Sequence, residues 1–449
     1  MGESTIAHHG AIEKNRFQRQ NNQPTPPHSE MHPFIPRFVT ALILLLSSCL
    51  AQESPESLWK AYKQSQSGTQ VAKELGALPD TWEQILAAKK DGKIPLEGRT
   101  LTLGEHKMPF ILIRREAEGA IAAGGKRPLY ICMHGGGQNK KAESAHDWSI
   151  NSREWRAQIG LAAQVYPAEG LFFIPRMADD RLGRWWHAHN QQAFDQVIKH
   201  GIREWDIDPD RVYLLGISEG AYGTDILAPF MADRFAGGNA MAGGVGDDVP
   251  AENLRNVAFR TDVGENDKMF DRVGLARKFH ARLDEAKKGD EPGYVHSLNV
   301  QEGRGHGVDY RPGVAWMVKH QRDARPQRIV WTSKILGQQR RSRFYWIGLE
   351  GEELEGIIHL TAEADRDRNL VELTANTGKG DDEKPLEGAK LVVLLDDSLV
   401  DLAKPVKITC NGKVVHEGKV EKNVATLKQT LEERGDPKMM FPGKVEISL

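Results

Sequence analysis

The chain has 449 residues, beyond the usual size of a single domain, so an enzyme-sized core with at least one appended unit is expected. Lys and Arg number 60 against 62 Asp and Glu, a formal net charge of -2, which leaves no electrostatic footprint for nucleic acid or a strongly anionic partner. With 39% hydrophobic and 27% charged residues, the composition is that of a soluble globular protein rather than a disordered or membrane-embedded one.

Residues 1–30 are polar and rich in Gln and Pro, and a start at Met31 would leave them untranslated. From Met31 the chain reads as an export signal: a weakly basic start with His32 and Arg37, an apolar run from Phe38 to Leu46, then small residues. The run is too short to span a bilayer. Leu46-Ser47-Ser48-Cys49 resembles a bacterial lipobox, which would make Cys49 a lipidated N-terminus and a membrane tether. Cleavage after Ala51 is the competing reading; either places the mature chain in the periplasm or outside the cell. Residues 1–51 are thus assigned to an extension and signal. The remaining cysteines, Cys132 and Cys410, are far apart in sequence and imply no disulfide framework.

"DTWEQILAAKKDG" reads as a helix, with Asp80 as cap, Glu83 three residues later and Gly92 as stop. "HKMPFILIRR" follows as a strand. Strands and helices then alternate: "LYICM", "GLFFIP", "RVYLLGI", "VAFRTDV" and "YVHSLNV" are strands. Two intervening helices are periodic, one through Phe194, Val197, Ile198 and Ile202, the other through Ala276, Phe279 and Leu283. This alternation predicts an α/β fold with a mostly parallel sheet between helices, over residues 52–325.

The pattern changes after "RDARPQR". Period-2 alternation places Ile358, Leu360, Ala362 and Ala364 on one face, then Val406, Ile408 and Cys410, then Val445, Ile447 and Leu449. Asn411-Gly412 is a two-residue hairpin signal. Residues 328–449 are therefore expected to form an all-β sandwich of accessory role. Its aspartates in "LLDDSLVDL" and aromatics in "RFYWIG" could mark a ligand face, but a solvated loop and a hydrophobic core are the expected reading.

The chemistry concentrates in a few loops. Strand "VYLLG" runs into Gly216-Ile217-Ser218-Glu219-Gly220 and a helix-compatible segment follows, the setting of a nucleophile elbow. The glycines matter sterically: the turn brings the chain before and after Ser218 nearly into contact. An acid and a base should follow in later loops, in that order. Asp267 lies just past "VAFRTDV" and His306 just past "YVHSLNV", with Asp262 and Asp271 as substitute acids. His134-Gly135-Gly136-Gly137 follows "LYICM" directly; three glycines there let a ligand oxygen approach the backbone. No GK[ST] follows, so a phosphate cradle is disfavoured.

With these motifs, Leu129 to about Asp323 resembles the catalytic domain of the α/β-hydrolase superfamily. "DPDRVYLLGISEGAYG" and the early HGGG are similar to bacterial carboxylesterases of the polyhydroxybutyrate-depolymerase and feruloyl- or acetylxylan-esterase type. The resemblance implies acyl transfer through a serine ester, with Ser218 as nucleophile, His306 as base and Asp267 as its orienting acid. The oxyanion donors would be the backbone N–H of Glu219 and that of Gly135 or Gly136. Two positions depart from those enzymes: Glu219 stands where Met, Gln or Ala is common, and Ala221 where a further Gly is frequent. The Glu219 carboxylate could disfavour anionic substrates or bias the base.

In "RMADDRLGRWWHAHN", at the expected carboxyl end of a strand, Trp185, Trp186 and His187 form a candidate acyl or sugar wall, with loop packing as the equal alternative. His187 and His189 near Asp179 and Asp180 lack any metal-binding motif, so no metal and no cofactor is expected. The expected activity is carboxylesterase cleavage of an ester of a carbohydrate or other polar alcohol, from a small molecule or a polysaccharide. The rivals are a serine peptidase of the same fold and a non-catalytic surface binding protein.

Overall fold

A computed structural model describes residues 53–116, 125–351, 354–378 and 380–449. The export signal, Cys49 and the cleavage point after Ala51 lie outside the described residues. Among the described residues no helix is long and apolar enough to cross a membrane.

The alternating half of the chain forms one eight-stranded sheet. Its strands are β1 (Gly98–Leu103), β2 (His106–Arg115), β3 (Arg127–Met133), β4 (Gly170–Pro175), β5 (Ile207–Ile217), β6 (Gly237–Met241), β7 (Ala258–Gly264) and β8 (His296–Gln301). They lie in the order β1-β2-β4-β3-β5-β6-β7-β8. β2 pairs antiparallel with β1 and with β4, and every other pair is parallel. β3 and β4 are buried at every residue, as strands covered on both faces must be, which is why they read as continuous apolar runs. The helices Ser149–Gln164, Ala188–Glu204, Glu219–Phe230 and Arg272–Lys287 connect the strands. The expected core faces are in place: Phe194, Val197, Ile198 and Ile202 are buried, as are Ala276, Phe279 and Leu283. This is the α/β-hydrolase architecture.

One strand, β6, escapes the sequence reading. "GGNAM" holds no β-branched residue, yet it joins β5 and β7 in the middle of the sheet. A Cβ on Gly238 would press on the Phe259 ring and on Ala228 of the preceding helix, Glu219–Phe230, so close packing explains the glycine. The early helix spans Trp82–Ala87 and is capped one residue later than expected. Thr81, not Asp80, accepts from the Gln84 N–H while the Gln84 side chain accepts from the Thr81 N–H.

The C-terminal region forms two sheets. One comprises β10 (Arg343–Phe344), β11 (Ile347–Glu350), β15 (Lys390–Leu395) and β18 (Gly443–Ser448). The other runs β17 (Lys413–Gly418), β16 (Val406–Cys410), β13 (Leu370–Thr377), β12 (Ile358–Asp365), β9 (Arg328–Ser333), with β14 (Lys384–Pro385) beside β13. Ile358, Leu360, Ala362 and Ala364 face the interior as the alternation requires. Asn411 and Gly412 both take positive φ, 47° and 77°, as a type I′ hairpin turn demands. A helix, Val424–Arg434, lies among these strands, so the region is not purely β. One apolar core continues from Leu129 and Val212 through Trp331 and Trp346 to Val393. Cys132 and Cys410 are buried and free.

Candidate active site

β5 ends at Ile217 and the helix Glu219–Phe230 begins at once, leaving Ser218 alone at the turn. Its φ of 55° and ψ of -110° are strained for a residue with a side chain. The two glycines make the turn fit. A Cβ on Gly216 would overlap the Gly220 carbonyl, and one on Gly220 would overlap the carbonyl of Met133 at the end of β3. The Ser218 N–H donates to Met241 O of β6 at 2.9 Å, anchoring the elbow to the sheet.

Two loops converge on Ser218. Its Oγ–H donates to His306 Nε2 at 3.0 Å, and His306 Nδ1–H donates to Asp267 Oδ2 at 2.6 Å. Asp267 is buried, and His306 has an exposed edge facing solvent. The loops touch through backbone: Asn266 N–H donates to Arg304 O at 2.8 Å, and a Cβ on Gly264 would overlap the Gly305 carbonyl. Gln301 closes the His306 loop, donating from Nε2 to Asp309 O at 2.9 Å and accepting from Asp309 N–H at 2.6 Å. The substitute acids are elsewhere. Asp262 lies in β7, held by Arg260, Asn239 and Asn299, and Asp271 stands at the N-cap position of the helix Arg272–Lys287 without a side-chain capping hydrogen bond.

Arg272, which the sequence reading passed over, completes the acid's surroundings. It donates to Asp267 Oδ1 at 2.8 Å, and its Nε donates to the Tyr222 hydroxyl at 2.7 Å. Both Asp267 oxygens are therefore filled, which favours a fixed orientation for the carboxylate.

HGGG lies opposite. Gly135 packs against the nucleophile: a Cβ there would meet the Ser218 Cβ at 3.4 Å. Gly136 and Gly137 take φ of 104° and 138°, open to glycine and strained for other residues. The Gly137 N–H donates to Asn151 Oδ1 at 2.9 Å, so it is committed to the scaffold. Gly135 and Gly136 have no such commitment among the described hydrogen bonds. Asn151 also donates to Gly137 O and to Asp180, whose carboxylate is clamped by Arg176 at 2.6 and 2.7 Å. His134 is fully buried; its Nε2 accepts from Met177 N–H at 3.0 Å and its Nδ1–H donates to Gly135 O at 2.5 Å. Burial pulls His134 down to about 3, so it stays neutral and holds this loop across the physiological range.

Glu219 folds its carboxylate back under HGGG. Its Oε2 accepts from Arg184 at 2.5 Å, while buried Oε1 has no partner among the described residues. Burial raises the carboxyl to about 7 even though Arg184 opposes the shift. Trp185 corrects an expectation. Its indole is 0% exposed and donates to His134 O at 3.0 Å, so it braces HGGG from within and forms no pocket wall. Trp186 is partly buried with the Arg184 guanidinium 5.7 Å from its ring centre, and His187 is half-buried at the start of the helix Ala188–Glu204. His189 stacks between His187 and His106, with centroids 5.6 and 4.2 Å away. The nearby carboxylates are engaged, Asp179 by Arg181 and Asp180 by Arg176. Among the described residues no three metal-ligating side chains converge.

No family model matches the chain. A stretch of 126 residues, 26% of the chain, is 29% identical to poly(3-hydroxyalkanoate) depolymerase C of Paucimonas lemoignei, and the chain spans 28% of that relative's length. Among solved structures the chain is similar to a thermostable esterase, at 19% identity and a TM-score of 0.37, over 51% of this chain and 63% of that one. It is also similar to a ferulic acid esterase, at 16% identity and a TM-score of 0.34, over 47% of this chain and 91% of the other.

Proposed function

We propose that this α/β-hydrolase-fold protein cleaves carboxylic esters through an acyl-serine intermediate. The observation that carries the reading is the unbroken chain from Ser218 Oγ through His306 to Asp267, at 3.0 and 2.6 Å, beside a glycine loop with uncommitted N–H groups.

A serine hydroxyl is a weak nucleophile without a base. His306 takes its proton as Oγ attacks the carbonyl, and Asp267 stabilises the imidazolium that forms. The negative charge on the former carbonyl oxygen is met by the N–H of Glu219, a first-turn donor with no intrahelical acceptor, together with that of Gly135 or Gly136. His306 then returns the proton to the leaving alcohol, and water repeats the sequence to release the acid. Catalysis is assigned to residues 52–325 and a bracing role to 328–449. The substrate class is an ester of a carbohydrate or another polar alcohol, with Trp186 and His187 at the rim, and a leader ending just before Cys49, or at Ala51, supports an exported compartment.

The test compares the wild type with Ser218→Ala on p-nitrophenyl acetate and butyrate, acetylated xylan, a feruloyl ester, a hydroxyalkanoate oligomer and a peptide anilide. Hydrolysis of esters by the wild type, reduced by at least about 10³-fold in Ser218→Ala, is the expected result. Equal rates for the two proteins would overturn the assignment.

A further inference from the structure

The helix Ala188–Glu204 and the C-terminal region line a solvent-open cavity of about 650 Å³. Six cationic side chains line it, Lys199, Arg234, Arg340, Arg341, Arg343 and Arg434, against the carboxylates Asp195, Glu350 and Glu433. Asp233, behind the wall, pairs with Arg434. Asp195 is shared between Arg234 at 2.8 Å and Arg341 at 2.6 Å, Glu433 serves Arg343 at 3.2 Å, and Glu350 is drawn toward Lys390 at 3.7 Å. Among the described residues this leaves Lys199 and Arg340 with no carboxylate partner. Arg340 donates only to Ser333 and to the carbonyls of Leu354 and Gly356.

The wall also holds donors without an acceptor among the described residues, beside one buried acceptor without a donor, Gln196 Oε1. The Nε of Arg340, Nη1 of Arg343 and Nε of Arg434 are buried without an acceptor among the described residues, and Arg434 as a whole is only 4% exposed. A buried cation needs an anion and satisfied hydrogen bonds, and like charges brought together in a poorly solvated place repel. Burial, and after it the neighbouring cations, act on the groups themselves: burial and then Arg234 pull the Lys199 amine down to about 8, and burial and then Arg434 pull Arg234 down to about 10, both against Asp195, while Arg341, paired with Asp195, is raised. A tetrahedral oxyanion would supply the missing countercharge and accept from several guanidinium forks at once.

We propose that this cavity binds a phosphate or sulfate group, at a site separate from the ester-cleaving centre. The lining helix starts just after Trp186 and His187, and Lys199 lies eleven residues along it from Ala188, roughly 16 Å at the helical rise. Arg340, Arg341 and Arg343 come from the segment that leads into β10 and β11, so a bound anion ties the C-terminal region to the helix that borders the active site.

The test is a titration of the full protein with inorganic phosphate, sulfate, glucose 6-phosphate and glucose 6-sulfate at ionic strength fixed with sodium chloride, read by melting temperature and by calorimetry. A saturable rise in melting temperature is expected, since a ligand that binds only the folded state stabilises it by mass action. Lys199→Gln and Arg343→Gln should each weaken binding at least tenfold, Lys199→Arg should retain it, and p-nitrophenyl acetate hydrolysis by Lys199→Gln should stay at the wild-type rate. Tighter binding of the sugar esters assigns the site to a sugar-borne group, and tighter binding of the inorganic ions to a free one. Ser218→Ala should bind the anion as well as the wild type, so the site stands or falls independently of the ester chemistry. A linear, unsaturable shift, or the same response in wild type, Lys199→Gln and Arg343→Gln, would overturn the proposal.

Discussion

Two buried carboxylates flank the Ser218–His306 pair, and they are built in opposite ways. Asp267 has both oxygens occupied, one by His306 and one by Arg272. Glu219 has one oxygen on Arg184 and the other on nothing, and its carboxyl is pushed up to about 7. Burial alone therefore does not fix a carboxylate's role; the count of donors around it does. Under the proposed mechanism Asp267, with both oxygens bound, orients and stabilises the imidazolium. The Glu219 carboxyl, raised to about 7, is close to half-protonated at neutral pH, which under the proposed mechanism lessens the negative charge beside the oxyanion.

The sharpest break of this contrast is on the oxyanion face. Gly136→Ala puts a Cβ into Asn151 at a φ of 104°, so the loop must move. A fall in kcat of about 10² to 10³-fold with little change in KM is expected, as for loss of an oxyanion donor. A rate near wild type would move the oxyanion donors elsewhere.

The acid side comes next. Arg272→Gln removes one of Asp267's two partners and should lower kcat roughly 10- to 100-fold through misplacement of the His306 imidazole, with part of the loss recovered by Arg272→Lys. The pH-rate profile should shift along with kcat. A purely structural Arg272 would instead lower the melting temperature and leave the profile of the surviving enzyme in place.

The smallest effect on rate, and the most specific, belongs to Glu219→Gln. In the folded protein this carboxyl titrates at about 7 against a usual value of 4.5, so the folded state favours its protonated form. Its stability contribution is full below pH 4.5 and is lost as pH rises through 7. The glutamine variant should therefore gain stability relative to the wild type between those values, by up to roughly 3 kcal/mol, and hold a constant difference above. Denaturant melts at pH 4.5, 6 and 8 measure it; a difference independent of pH would mean that Glu219 does not titrate in this range.

Some of this was readable in the chain and some was not. Gly216 and Gly220 are demanded by backbone contact, a constraint that leaves its mark on the sequence itself, so the elbow and the strand and helix around it were legible. The order of Asp267 and His306 was legible for the same reason, because each follows a recognisable strand. Arg272, Asn151 and Gln301 were not. Their roles arise from partners brought close by the fold, and nothing local distinguishes them from other polar residues. Trp185 and Trp186 are adjacent in sequence, yet one turns inward to His134 and the other outward beside Arg184, a choice made by packing. The helix Val424–Arg434 was hidden because its buried face is mostly polar, Thr426, Thr430 and Arg434 with one Leu431, which blanks the apolar periodicity.

The central claim is that Ser218 is a nucleophile activated by His306. Labelling the native protein with a fluorophosphonate and mapping the adduct by peptide mass spectrometry tests it most directly. One covalent adduct is expected, on Ser218, absent from Ser218→Ala and suppressed in His306→Ala. No adduct on folded wild-type protein, or an adduct on another residue that survives Ser218→Ala, would contradict it.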